Sequence, residues 1–179
     1  DKHMTKLNSM EISLEQLLES RDKRAERQKA LLEKYPDKTL LCLTVIMPGK
    51  VKRNKESLVV ASAAVEILQR EFEKQAVYYE QHDLNTGFEA YMLVDGESKE
   101  VKKQLCKIEE SHALGRLFDI DVIDCNGVPV SRTDIGFSPR KCLICDNESR
   151  FCMRNFTHTQ EELKTKIAEM VQEYERNSK

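Results

Sequence analysis

The chain has 179 residues, 40% hydrophobic and 34% charged, and its 29 Lys and Arg against 31 Asp and Glu leave a net charge of -2. It has no apolar run long enough to cross a bilayer and no short apolar stretch behind a basic start, so we expect a cytoplasmic protein that binds no membrane. The balanced charge argues against a nucleic-acid-binding surface and leaves only local basic clusters to bind anions. Six unevenly spaced cysteines favour reduced thiols or a metal site over an extracellular disulfide framework.

The sequence predicts a succession of helices and strands in which most neighbouring elements alternate. The helix predictions rest on apolar side chains at helical spacing and on the capping-box patterns that begin at Ser13 and Thr159. The strand predictions rest on short β-branched or alternating runs. The predicted elements, in chain order, are one or two helices from Ser13 to Tyr35, a buried strand over 39–47, a helix over 54–75, a strand over 87–94, a helix over 97–112, a strand over 116–124, a short returning strand over 128–130 and a helix from Thr159 to about Arg176. The Asn-Gly turn at 126–127 predicts a hairpin between the last two strands.

This order of elements predicts one α+β domain. Asp1 to Met4 are typical of an expression-tag remnant, which leaves residues 5–179 as the single folded domain. Neither an internal repeat nor a Gly/Ser-rich linker divides the chain, so we expect a mixed β-sheet covered by helices. The polar, Cys-containing segment 138–156 is expected to form a loop or a metal-held knob, with the last helix as a cap.

The segment 115–122, Gly-Arg-Leu-Phe-Asp-Ile-Asp-Val, is the most informative motif. Side chains alternate along a strand, so Asp119 and Asp121 are predicted to share one face. Two adjacent carboxylates repel each other, and a hard cation such as Mg²⁺ would offset that repulsion while also binding phosphate oxygens. The alternative is the solvent-facing half of an amphipathic strand. Asp is disfavoured in strands, however, and the adjoining Arg116 adds a fixed cation suited to phosphoryl-group chemistry.

Polar side chains interrupt the apolar stripe of the first predicted helix. Arg21 and Gln28 fall in register with the leucines of that stripe, and Arg24 lies between them. Three such side chains on one helix face can bind phosphates or a pyrophosphate. The alternative is a pair of arginines that snorkel at a solvated helix end.

Two weaker candidates lie beside predicted strand ends. Lys52 belongs to the basic loop that follows the first strand, where α/β proteins commonly bind ligands, although a basic turn often has no such role. His112 precedes the Gly-Arg turn and is a candidate general base or phosphate ligand. A histidine at a helix end more commonly supplies only a favourable charge.

Four potential metal ligands occur close together near the C-terminus: Cys142, Cys145, Cys152 and His158. The first two have the spacing of a zinc knuckle, and the whole set suits tetrahedral zinc. Because the second half lacks a close pair, buried free thiols are the alternative to a structural zinc site.

Together these residues resemble the phosphoribosyl-dephospho-CoA transferases that modify the citrate lyase carrier protein, the CitX-type holo-carrier synthases. The resemblance spans nearly the whole chain, and the aspartate motif is specific to this kind of transferase. It rests on the segment 112–124, Ser131-Arg132, Pro139-Arg140, Cys142, Cys145, Cys152, His158, Arg21, Arg24, Arg27, Gln28, Pro48-Gly49, Lys52 and Gly87-x-Glu89. Phe118 stands where many relatives are expected to have Trp.

The resemblance implies transfer of the 5'-phosphoribosyl-dephospho-CoA group from 2'-(5''-triphosphoribosyl)-3'-dephospho-CoA to a serine of the apo acyl-carrier subunit of citrate lyase, with diphosphate released. Asp119 and Asp121 would hold Mg²⁺ on the triphosphate, and Arg116 would help to neutralise the leaving diphosphate. Either His112 or a carboxylate would accept the serine proton. The substrate-binding residues implied by the resemblance are Arg21, Arg24, Gln28, Lys52, Arg132 and Arg140.

Two other functions fit the same residues. The same transfer to a malonate decarboxylase carrier would use the same prosthetic group and the same chemistry. A non-enzymatic adaptor would instead dock an acidic partner through the Cys/His segment and the basic loops, and it would show no metal-dependent turnover.

Overall fold

Helices cover both faces of one β-sheet in the computed structural model, which describes residues 10–178. The α-helices are α1 (Leu14–Lys34), α2 (Lys55–Glu71), α3 (Ser98–Ser111), α4 (Ser149–Asn155) and α5 (Gln160–Asn177). The strands are β1 (Thr39–Val45), β2 (Ala76–Leu84), β3 (Gly87–Val94) and β4 (Phe118–Ile123). No helix within this described part of the chain is both long and apolar enough to cross a membrane.

The strands are hydrogen-bonded in the order β2-β3-β1-β4, and each of these pairings is antiparallel. The α+β class and the single domain are therefore confirmed, but the sheet is antiparallel rather than mixed. The difference comes from β2, which the sequence pattern does not predict because its side chains are half-buried or exposed and do not alternate clearly. β2 forms a hairpin with β3, and this tight connection reverses the chain direction between them.

The sheet separates a large core from a small one. Leu41 and Leu43 of β1 face the large core, which contains buried side chains of α2, α3 and α5. Leu40 and Cys42 face the other way and pack with Leu31 of α1. Because alternate residues of a strand point to opposite faces, β1 is buried on both sides and its sequence is apolar almost throughout.

Capping boxes begin three of the described helices. Ser13 caps α1, Asn54 caps α2 and Thr159 caps α5, each with its side chain accepting from the backbone N–H three residues on. The boxes predicted at Ser13 and Thr159 are confirmed, and α1 is one continuous helix. The predicted tag remnant, residues 1–4, lies outside the described residues.

The hairpin after β4 is shorter than predicted. The Asp124 carboxylate accepts hydrogen bonds of 2.9 Å from the backbone N–H groups of Asn126 and Val128, which closes the turn. The returning segment makes an isolated bridge between Ile123 and Pro129 instead of a full strand. Proline has no N–H to donate to a ladder, which limits pairing at this edge.

The 3-10 turn Gly115–Leu117, which leads into β4, packs directly on the backbone of α3. Gly115 is buried, and a Cβ atom at this position would overlap the backbone of Glu109. Glycine is therefore required here because two backbone segments approach closely. This close approach fixes where β4 begins.

We predict that Gly115→Ala lowers the free energy of unfolding by about 3 kcal/mol, because the methyl group must displace the backbone of α3. The matched control is Gly127→Ala in the hairpin turn, where φ is +83° and no atom lies within 4 Å of the added Cβ. That control should lose only about 1 kcal/mol, the cost of a left-handed backbone conformation. Urea denaturation measures both values, and equal losses would contradict the close packing at Gly115.

Candidate functional site

The face of the sheet that α1 covers changes from apolar to polar along the strands. The apolar end is a row formed by Leu93, Leu40 and Ile123, which packs with Leu31 of α1. The next two rows across β3, β1 and β4 carry the polar groups: Tyr91, Cys42 and Asp121, then Glu89, Thr44 and Asp119. We call the space between these two polar rows and α1 the carboxylate cleft.

Asp119 and Asp121 lie on one face of β4, as the sequence predicts. Both are exposed, whereas their apolar neighbours along the strand are buried on the other side. The Thr44 hydroxyl donates to Oδ2 of Asp119 over 3.3 Å. Partial burial in the cleft, reinforced by the charge of Asp119, raises the pKa of the Asp121 carboxyl. The pair therefore presents concentrated negative charge that a cation can bind.

Glu89 is a third carboxylate in the cleft, and chemical reasoning from the sequence assigns it no role. It is 7% exposed, and its Oε1 accepts a 3.0 Å hydrogen bond from the Tyr91 hydroxyl. Its Oε2 lies 3.7 Å from Nη1 of Arg24. The sequence offers two signals: the Gly87-x-Glu89 motif of the resemblance, and an acidic residue inside an otherwise apolar strand, Gly-Phe-Glu-Ala-Tyr-Met-Leu-Val.

The polar stripe of α1 faces these rows. Arg24 reaches Glu89, and Gln28 lies beside Cys42, whose thiol pKa is raised by burial to about 12. One turn beyond Arg24, the Arg27 guanidinium pairs with Glu80 of β2 and holds the pKa of that carboxyl at about 2. Side chains of α1 therefore complete the cleft and tie the helix to the sheet.

Arg21 and Lys52 form the basic end of this surface. The Lys52 ammonium donates to the Met47 carbonyl over 2.8 Å. Burial, and then the positive charge of Arg21, lowers the pKa of Lys52. Two cations close enough to influence each other favour an anion between them. The structure thus places Arg24 and Gln28 of α1 beside the polar rows that include Asp119 and Asp121, and it places Arg21 and Lys52 near each other.

Arg132 and Arg140 lie at the free edge of β4, around the buried carboxylate of Glu109, and the charge of Arg140 opposes the rise in the pKa of Asp121. Arg132 binds Glu109 Oε2 and Glu110 Oε1, each over 2.8 Å, and also donates to the Ser138 carbonyl. Arg140 lies 3.2 Å from the same oxygen of Glu109. These guanidinium groups already have internal partners, so the geometry favours a structural role over the predicted binding of substrate.

Arg116 also differs from its predicted role beside the aspartates. Its guanidinium donates to the backbone carbonyls of Lys141 and Cys142, at the start of the Cys/His segment. An arginine beside a carboxylate motif in the sequence can therefore bind backbone instead of phosphate. Nothing in the residue spacing distinguishes these two uses.

His112 lies on the opposite side of the sheet from the carboxylate cleft. Its ring packs against Phe118 and Tyr174, with ring centroids 5.0 Å and 5.6 Å away, and its Nδ1 accepts from the Leu114 N–H. Burial, with a further contribution from Arg70, lowers the pKa of this imidazole. The structure does not bring His112 together with Asp119 and Asp121.

The segment between β4 and α5 forms a small knob that gathers Cys142, Cys145, Cys152 and His158, which we call the Cys/His cluster. One ligand atom from each residue lies within 4.8 Å of the others. The Cys145 and Cys152 sulfurs are 3.4 Å apart, and His158 Nε2 is 3.4 Å from the Cys145 sulfur. Three thiols and one imidazole in this proximity could bind a metal ion, and soft sulfur ligands suit zinc.

The family described as apo-citrate lyase phosphoribosyl-dephospho-CoA transferase (CitX) matches residues 12–174. The chain belongs to this family. A probable apo-citrate lyase phosphoribosyl-dephospho-CoA transferase of Streptococcus pyogenes serotype M3 is 34% identical over 167 residues, which are 91% of this chain and 87% of that protein. A protein of the same name from Vibrio cholerae serotype O1 (strain M66-2) is 36% identical over 169 residues, 92% of this chain and 94% of that protein. Protein CitXG of Haemophilus influenzae is 37% identical over 167 residues, which cover 92% of this chain but only 36% of that longer protein.

Membership of this enzyme family confirms the resemblance inferred from the motifs. The carboxylate cleft contains one part of the residues that carry the resemblance, and the Cys/His cluster and the surroundings of Glu109 contain others. Arg132 and Arg140, which bind Glu109 instead of lining the cleft, require a separate test.

We predict that Glu109→Ala lowers the free energy of unfolding by about 3 kcal/mol, because it leaves Arg132 and Arg140 without their shared buried partner. The matched control is Glu110→Ala, which removes the exposed carboxylate bound by the same Arg132. That change should cost less than about 1 kcal/mol, as for other surface ion pairs. Thermal and urea unfolding measure both values. A Glu109 variant as stable as the Glu110 variant would contradict the structural role of Arg132 and Arg140 and would make them candidate substrate ligands again.

Proposed function

We propose that this protein transfers the 5'-phosphoribosyl-dephospho-CoA group from 2'-(5''-triphosphoribosyl)-3'-dephospho-CoA to a serine of the apo acyl-carrier subunit of citrate lyase, with release of diphosphate in the cytoplasm. The observation that carries the proposal is the carboxylate cleft, in which three acidic side chains of the sheet face the arginines of α1. The names of the family and of its relatives support the group transferred and the acceptor.

The donor set of the cleft fits Mg²⁺, because hard divalent cations prefer carboxylate oxygens. Asp119 and Asp121 are the residues that would hold the ion, since they are exposed and adjacent on β4. When bound there, Mg²⁺ would neutralise charge on the triphosphate and on the departing diphosphate. The residues of the chain supply the remaining functions: they bind the donor, orient it and accept a proton.

Arg21, Arg24 and Lys52 are proposed to bind the triphosphate. A guanidinium group can form two parallel hydrogen bonds to phosphate oxygens, and an ammonium group adds a compact positive charge. Arg24 is already oriented by Glu89, and Lys52 is already oriented by the Met47 carbonyl. Cations fixed before the ligand arrives lose less conformational freedom when it binds.

The serine proton is proposed to pass to a carboxylate of the cleft. The serine oxygen must reach the phosphorus atom that stays with the transferred group, as that atom's bond to the departing diphosphate breaks. A general base has to lie within hydrogen-bond reach of the serine hydroxyl. Glu89 is the one carboxylate of the cleft that is not assigned to the cation, and in this role it would exchange its contacts with Arg24 and the Tyr91 hydroxyl for the serine. His112 does not face the cleft, so the alternative in which it acts as the base loses its geometric support.

We predict that Asp119→Asn and Asp121→Asn each fold normally but lose Mg²⁺-dependent transfer by about a hundredfold or more, because the amide keeps the shape and removes the charge. Asp95→Asn is the control, since Asp95 is an exposed carboxylate paired with Lys38 away from the cleft. Mass spectrometry of the apo carrier measures the addition of the phosphoribosyl-dephospho-CoA group.

Full transfer by both cleft variants would remove Asp119 and Asp121 from the reaction. An unmodified citrate lyase carrier after incubation with the wild-type protein would contradict the proposed function. Running the malonate decarboxylase carrier in parallel separates the two acceptors, and modification of that carrier alone would reassign the substrate.

We also propose that the Cys/His cluster holds one structural Zn²⁺. All four side chains can act as ligands, which leaves no open position for catalysis. The Ile144 N–H donates to the Cys142 sulfur over 3.4 Å, an interaction that stabilises a thiolate. The three cysteines are free, and two of them are buried.

We predict about one zinc per chain by elemental analysis of metal-replete protein. Cys145→Ser should lower both the zinc content and the midpoint of thermal unfolding, because the binding energy of a structural metal contributes to folding. Cys125→Ser, at an exposed free cysteine of the hairpin turn, should change neither. Metal-free wild-type protein that unfolds at the same temperature as metal-replete protein would favour free thiols instead.

A further inference from the structure

β4, which carries the aspartate pair, is an edge strand of the sheet. It pairs with β1 on one side only. The carbonyl groups of alternate residues in an antiparallel edge strand point away from the sheet and need other partners. In β4 the carbonyl of Phe118 accepts from Arg140, that of Ile120 from Lys102, and that of Val122 from the Val130 N–H. Two cationic side chains and one backbone amide therefore take the place of a further strand.

Lys102 is the most unusual member of this set. It is 8% exposed, and its Nζ lies 3.1 Å from the carbonyl of Ile120, the residue between the two aspartates. Burying an ammonium group is costly unless it is hydrogen-bonded or paired. The next residue, Lys103, instead lies at the surface of α3, where it pairs with Glu100. The sequence alone does not distinguish these two lysines.

Arg140 and Arg116 extend the edge contacts into the knob that contains the Cys/His cluster. Arg140 donates to the carbonyls of Gly115 and Phe118, on the turn and at the first residue of β4. In the opposite direction, Arg116 of that turn donates to the carbonyls of Lys141 and Cys142. Cys142 is itself a member of the cluster, so a short series of hydrogen bonds joins the proposed zinc site to the start of the aspartate strand.

We propose that Lys102 and Arg140 are positioning residues that hold the free edge of β4, and that Arg116 links this edge to the Cys/His cluster, so that zinc binding helps to set the position of Asp119 and Asp121. The consequence for turnover rests on the proposed transfer reaction, whereas the structural coupling rests only on the proposed zinc site. Partners that orient metal-binding side chains typically contribute 10-fold to 100-fold in metal affinity or activity.

The first experiment compares Lys102→Met with Lys102→Arg and with the matched surface control Lys103→Met. The methionine keeps apolar volume and removes the donor to Ile120, so hydrogen exchange over 118–123 should become faster and Mn²⁺ affinity should fall about tenfold. Lys102→Arg retains the charge and the donors, so it should restore most of the protection from hydrogen exchange and most of the Mn²⁺ affinity. Lys103→Met should resemble the wild type. Zinc content should stay constant in all three.

Unchanged hydrogen exchange and unchanged Mn²⁺ affinity in Lys102→Met would overturn the positioning role of Lys102. If the methionine variant does not fold, Arg140→Lys provides the same comparison: it keeps the positive charge but cannot reach both carbonyls at once, so exchange at 115–118 should increase. A folded Arg140→Lys protein with wild-type exchange would overturn the proposal equally.

The second experiment removes zinc from the wild-type protein with a chelator and maps hydrogen exchange. Faster exchange should extend from 138–158 into 115–121 and should reverse when zinc is restored. Changes confined to 138–158 would overturn the coupling. These readouts require neither donor nor carrier, so they stand even if the wild-type protein fails to modify the citrate lyase carrier, a result that would count against the proposed function alone.

Discussion

Two carboxylates side by side on an edge strand are the constraint on which the rest of this structure depends. Asp119 and Asp121 carry like charges side by side, and partial burial, followed by the charge of Asp119, raises the pKa of the Asp121 carboxyl. An edge strand also lacks the ladder of hydrogen bonds that fixes a central strand on both sides. The protein must therefore hold β4 firmly while it leaves the two carboxylates accessible.

The structure meets this requirement from three directions. β1 pairs with β4 along one side, and the apolar residues of β4 are buried in the large core. Lys102 and Arg140 satisfy carbonyl groups on the other side. The close packing of Gly115 on α3 fixes where the strand starts. Because the apolar half of β4 is anchored so fully, its polar half can remain in a water-accessible cleft under α1.

The same arrangement explains why the basic residues fall into two groups. Arg24 contacts Glu89 in the cleft, and Arg21 and Lys52 lie near each other without a carboxylate partner among the ion pairs of the described residues. Arg116, Arg132 and Arg140 lie on the far side of β4 and hold backbone carbonyls or the buried Glu109. The first group is suited to an incoming triphosphate, and the second supports the strand and the Cys/His knob.

Local patterns in the sequence predict the parts of the fold that depend on local chemistry. The alternation in Phe-Asp-Ile-Asp-Val places both aspartates on one face, and the capping boxes at Ser13 and Thr159 begin helices. Patterns fail where a partner distant in sequence decides the outcome. β2 is an exposed edge strand with little apolar alternation. The role of Arg116 depends on carbonyls about 25 positions away, which no local spacing encodes.

The most direct test of this account is a crystal structure of the protein with triphosphoribosyl-dephospho-CoA and Mn²⁺, in which anomalous scattering locates the metal. We expect a manganese peak beside Asp119 and Asp121, with the triphosphate against Arg21 and Arg24 of α1. A triphosphate bound instead beside Arg132 and Arg140, with no metal peak at the aspartate pair, would contradict it.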